Sequence, residues 1–111
     1  MKVKVNRQLS NGYYVVKFGV SDFSAEELRK MQSFGIPKIS ILRTVPVPGR
    51  GFVPQPLNQP LTQINEDLAA SFASEEEANG YQESVLEQIR QAIISLRDRK
   101  DDFTSTKEVD I

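Results

Sequence analysis

Lys2-Val3-Lys4-Val5-Asn6-Arg7-Gln8-Leu9-Ser10-Asn11-Gly12-Tyr13-Tyr14-Val15-Val16-Lys17-Phe18-Gly19-Val20 is the stretch whose reading decides the fold. Apolar residues recur at every second position on both sides of Asn11-Gly12, which is the period of a half-buried strand. Asn-Gly between two such runs signals a two-residue type I′ turn, because both central residues of that turn need positive φ. With Asn11-Gly12 as the loop, Leu9 faces Tyr14, Arg7 faces Val16, Val5 faces Phe18 and Val3 faces Val20. The apolar residues of both strands then share one face, and a slip of one residue would scatter them. Arg7 is the charged misfit on that face and is expected to snorkel at an edge. The other face carries Lys2, Lys4, Asn6 and Gln8 opposite Tyr13, Val15 and Lys17.

Downstream, Ser24-Ala25-Glu26-Glu27 is a capping box that opens a helix over about residues 25–33. Gly35 suits the position after the last turn, where positive φ is wanted, and Pro37 prevents continuation. Residues 38–45 are β-branched and apolar enough for a third strand. Pro46, Pro48, Pro54, Pro56 and Pro60 then flank Gly49-Arg50-Gly51, with Pro48-Gly49 suited to the centre of a type II turn. Each proline lacks a ladder donor, so residues 46–60 are expected to form a surface loop outside any sheet. Residues 61–73 fit a strand through Leu68, Ala70 and Phe72, or a helix through Ile64, Leu68 and Phe72. The strand is preferred, because a second capping sequence, Ser74-Glu75-Glu76-Glu77, opens a new helix directly after it. That helix is expected over about 75–99, with acids in its first turn and bases in its last, as its macrodipole favours. Ala78, Tyr81, Val85, Ile89, Ala92 and Leu96 form its apolar stripe, widened by Leu86 and Ile93, while Ile94 points elsewhere. The expectation is a single α+β domain over 1–100 of ββαββα type. It has a mostly antiparallel sheet of three to four strands, two helices packed on one face and a long C-terminal helix. Residues 101–111 are expected to form a polar tail held by Phe103.

The 111 residues include no His, Cys or Trp. The usual ligands of structural zinc, haem and iron–sulfur centres are therefore missing, as are Ser-His-Asp and Cys-His catalysis. No apolar run approaches the roughly 20 residues that span a bilayer. The N-terminus alternates charge with valine, unlike a signal peptide, so a cytoplasmic location with no membrane partner is expected. Charge divides unevenly: residues 1–61 hold nine bases and three acids, and residues 62–111 five bases and twelve acids. That asymmetry suits an anionic partner for the first half, complementary self-association, or two solvated surfaces that meet nothing.

Glu75, Glu76, Glu77 and Glu83 could hold a hard cation, but consecutive helical residues point in different directions and a helix start favours acids anyway. No carboxylate pair is placed in an apolar pocket, so no catalytic residue, metal site or cofactor is assigned. The basic hairpin face has the minimal ingredients for single-stranded nucleic acid: charge for the backbone and an aromatic for a base. Its candidate contacts are Lys2, Lys4, Tyr13, Lys17 and Arg50, the last within Gly49-Arg50-Gly51-Phe52, where Phe52 could meet a base. A helix of about 25 residues is as long as a compact domain of this size is wide, so Leu86, Ile93 and Ile94 are candidates for self-association in a dimer.

Asp22-Phe23-Ser24-Ala25-Glu26-Glu27-Leu28, continued by Phe34-Gly35-Ile36-Pro37 and later by Ser71-Phe72, Glu77-Ala78, Ile89 and Leu96-Arg97, resembles small uncharacterised bacteriophage and prophage proteins. The resemblance spans most of the chain and supplies no catalytic or binding residue. It implies a bacterial or viral cytoplasm and adds some weight to nucleic acid. The expected function is a non-catalytic binding or interaction module, self-associating or bound to another protein. A single-stranded nucleic-acid accessory protein is the first alternative, and a carboxylate-dependent enzyme the second.

Overall fold

The computed structural model describes residues 1–99; the expected tail at 101–111, with Phe103, lies outside them. Asn11 (φ +52°) and Gly12 (φ +80°) both take the positive φ that a type I′ turn demands. They join β1 (Lys2–Ser10) to β2 (Tyr13–Ser21) in the expected register, Leu9 opposite Tyr14 and Val3 opposite Val20. Val16 and Phe18 on the shared face are buried, and Arg7 is exposed.

Helix α1 (Ala25–Phe34) begins with both halves of its capping box: the Glu27 N–H donates to Ser24 Oγ (3.1 Å) and the Ser24 N–H to Glu27 Oε1 (2.8 Å). It ends at Gly35, whose φ of +93° needs the missing Cβ and whose N–H donates to the Met31 carbonyl at 2.9 Å.

Residues 46–60 depart from expectation. They are not a loop but the larger part of a hairpin in which β3 (Lys38–Val47) pairs antiparallel with β4 (Gly51–Pro60) along its whole length. Pro48-Gly49 forms the turn as read, with Gly49 at φ +79° and the Arg50 N–H donating to the Val47 carbonyl at 3.0 Å. The prolines fit because Pro46, Pro54, Pro56 and Pro60 share one phase. The same ladder continues into Leu61, whose N–H donates to the Pro37 carbonyl at 2.8 Å, so odd-numbered residues face the partner strand. Even-numbered residues turn their backbone groups outward, where a proline removes no ladder bond. On β3 those outward groups are taken up by the last helix. The Leu42 N–H donates to Tyr81 Oη (3.0 Å), which donates to the Leu42 carbonyl (3.3 Å). Gln88 accepts from the Ser40 N–H (2.9 Å) and donates to its carbonyl (3.0 Å). Among the described residues the five strands therefore form two sheets rather than one, β1-β2 with β5 (Ala69–Phe72) and β3-β4.

Leu61–Gln63 makes one 3₁₀ turn that buries Leu61, and Ile64 follows it into the core. Strand β5 (Ala69–Phe72) then adds to β2 with Tyr14 opposite Phe72, so residues 61–73 end in the preferred strand. Helix α2 (Glu75–Asp98) is capped by Ser74, whose Oγ accepts from the Glu77 N–H at 3.2 Å. Its Ala78, Val85, Ile89 and Ile93 meet Val16, Phe18, Ile39, Ile41, Leu61 and Ile64 in one core. Each large side chain so buried contributes about 1.5–3 kcal/mol. Two charged residues tie α1 to the end of α2. Buried Glu27 accepts from Arg97 Nη2 (3.4 Å) and lies 3.3 Å from the Met1 ammonium, and Lys30 donates to the Arg97 carbonyl. No helix among the described residues is long and apolar enough to cross a membrane.

Candidate functional site

Alternation along the strands decides which side chains are free to meet a partner. Even-numbered residues of β1 and odd-numbered residues of β2 project from the face of the first sheet that α2 does not cover. Ser71 and Ala69 of β5, opposite Val15 and Lys17, complete this outer face. The outer half of the β3–β4 hairpin stands against it, fastened where the Ser71 N–H donates to Thr44 Oγ1 at 2.8 Å.

Between the two lies a cleft of about 290 Å³. Val15 and Ser71 come from the sheet, Ser10, Asn11 and Tyr13 from the β1–β2 turn, and Thr44, Phe52 and Pro54 from the second hairpin. Val15 is only 8% exposed, whereas Tyr13 is 47% and Phe52 68% exposed. Two large aromatic side chains are thus left in water beside one uncharged cleft, the usual mark of an interaction site when apolar exposure is contiguous. Hydroxyls and one amide supply its hydrogen-bonding groups.

Electrostatics separates the two sides of the molecule. The hairpins over 2–21 and 38–60 contain Lys2, Lys4, Arg7, Lys17, Lys38, Arg43 and Arg50 and no Asp or Glu. Helix α2 holds six acids and only Arg90 and Arg97 as bases.

The structure brings together some of the residues singled out from the sequence and separates others. Tyr13 lines the cleft, with Lys17 four residues along the same face, just past Val15, and Arg50 two residues before Phe52 in the β3–β4 turn. Lys2 and Lys4 lie toward the far end of the hairpin, paired with Asp22 (3.6 Å) and Glu66 (3.5 Å). At about 3.4 Å per residue Lys2 is some 27 Å from the Ser10 end of its strand. On α2, Ile93 belongs to the core, Leu86 packs partly buried against it, and Ile94 is 46% exposed. With Met1, Val3 and Arg90 these three residues border a shallow groove of about 310 Å³.

Phe52 entered the sequence reading only as the end of a four-residue motif, and Thr44, Pro54 and Ser71 did not enter it as site residues. Among the described residues no three Asp or Glu are gathered where they could share a metal ion. Comparison with protein-family models, with curated proteins and with solved structures finds no match to the chain.

Proposed function

We propose that this chain is a non-catalytic binding module that takes up an extended, negatively charged partner on its strand side. The observation that carries the reading is the absence of any carboxylate from the two hairpins that frame the cleft, against the acidic surface of α2. Lys17 and Arg50, each two residues from a lining position of the cleft, make no ion pair among the described residues and so keep their charge available, whereas Arg43 beside Thr44 donates to Gln55. Several acids are engaged in holding the fold: Glu27 in the α1 cap, Asp22 and Glu66 on lysines, Glu26 on Lys30, and Glu87 on Arg90. That leaves a binding face, rather than a reactive centre, as the feature to explain.

Self-association through α2 has less to stand on. The chain's own strands cover most of the stripe that a second copy was invoked to cover, and Ile94 is the most exposed of Leu86, Ile93 and Ile94.

Heparin–agarose chromatography tests the reading, since heparin is an extended polyanion without bases. The protein is expected to bind at low salt despite its net charge of −1 and to elute as salt screens the contact. Lys17→Glu with Arg50→Glu should abolish retention. Flow-through of the parent protein at low salt would contradict it.

A further inference from the structure

We infer that the partner is a single-stranded nucleic acid, with one base seated in the cleft between Tyr13 and Phe52. This rests on the strand side being the binding side, and it adds the chemistry of what binds.

A polyanion needs only the cations, so the cleft itself has to be explained. Its walls are aromatic, its floor includes buried Val15, and none of its lining residues is charged. A nucleobase matches that combination: two π faces for stacking, and an edge of donors and acceptors. Thr44 Oγ1 already accepts from the Ser71 N–H, so its own hydroxyl hydrogen is left to donate, and the Asn11 amide offers both a donor and an acceptor. At about 290 Å³ the cleft falls just below the size at which pockets for whole drug-like ligands begin, roughly 300 Å³. It suits one planar ring system continued by a chain that runs out over the surface. Lys17, next after Val15 on the same face of β2, and Arg50, two residues before Phe52 in the hairpin turn, are the bases assigned to the phosphates of that chain.

Competing occupants fit less well. In a duplex the faces of the bases are stacked away, so neither ring of the cleft can stack on one. An added β-strand cannot pair fully with the outer edge of β4, where Pro54, Pro56 and Pro60 leave gaps in the row of N–H donors. An acidic peptide satisfies Lys17 and Arg50 but brings no planar heterocycle for the two rings.

The test is fluorescence anisotropy with a labelled oligothymidylate of about 12 nucleotides, within the range of site sizes for such surfaces. Binding should weaken about five- to tenfold between about 50 and 200 mM salt, as neutralising some two phosphates implies. Tyr13→Ala and Phe52→Ala replace exposed side chains, so folding should survive, as circular dichroism can verify. Each should weaken oligonucleotide binding at least about fivefold, the lower limit for one stacked base, while heparin retention stays unchanged. Equal affinity of parent and aromatic variants for the oligonucleotide would overturn base seating and leave the strand-side polyanion reading standing. Equal affinity for a duplex of the same length, or for polyglutamate with the same dependence on Tyr13 and Phe52, would also overturn it. Failure to bind either oligonucleotide or heparin would end both readings.

Discussion

Glu27 shows how one carboxylate can serve structure alone. It is only 3% exposed, and burial by itself would push its pKa up. The Ser24 backbone N–H, the Ser24 hydroxyl and the Met1 ammonium outweigh burial and hold it below the ordinary 4.5. A folded-state pKa below the unfolded one contributes stability above the unfolded value, and that stability is lost as pH falls through the folded value. Glu27→Gln should therefore cost about 1.5–3 kcal/mol at neutral pH, the range for hydrogen bonds to a charged group. The deficit should shrink as both proteins are acidified below about pH 4. Denaturant titrations at a series of pH values check this, and a deficit independent of pH would assign Glu27 a role in packing alone.

Among the elements, the β3–β4 hairpin is the least ordinary, because four of its strand positions are proline. The common phase of Pro54, Pro56 and Pro60 turns their missing donors to the outer edge of β4, so Pro54→Thr with Pro56→Thr should keep the fold. Stability should fall by about 0.4–1 kcal/mol per site, from the freer unfolded chain. The same change restores N–H donors to an exposed edge, and sedimentation should show more association than in the parent protein. An unchanged mass at all concentrations would show that the prolines do not protect that edge. This hairpin is also where sequence reading stopped short. Asn11-Gly12, the α1 capping box and the α2 stripe are local signals, and each is written within a single continuous segment. Whether a proline breaks a ladder depends on its phase relative to a partner strand, which no single residue reveals. The signal available was that Pro46, Pro54, Pro56 and Pro60 all fall on even positions around a Pro48-Gly49 turn. The cleft was partly legible for the same reason. Alternation placed Tyr13 and Lys17 on one face, but Thr44 and Ser71 meet across 27 residues through a contact set by the packing of two sheets. Likewise the helical period gave α2 an apolar stripe, without saying that Val16, Phe18, Ile39 and Ile41 of the same chain would share its core.

At the scale of the whole molecule, the near-zero net charge conceals a division of labour. The strands carry the bases and the exposed aromatics, and α2 carries the acids and closes the core. On the proposed reading a polyanion meets the strand side and is repelled by α2, so orientation is set before contact and binding should weaken with salt. The most direct measurement is a two-dimensional amide NMR titration with the oligothymidylate. The account predicts progressive shifts at Asn11, Tyr13, Val15, Lys17, Arg50, Phe52 and Ser71, with the exposed positions of α2 such as Glu83 and Glu87 unmoved. Shifts concentrated on α2, or none on the strands at an excess of oligonucleotide, would contradict it.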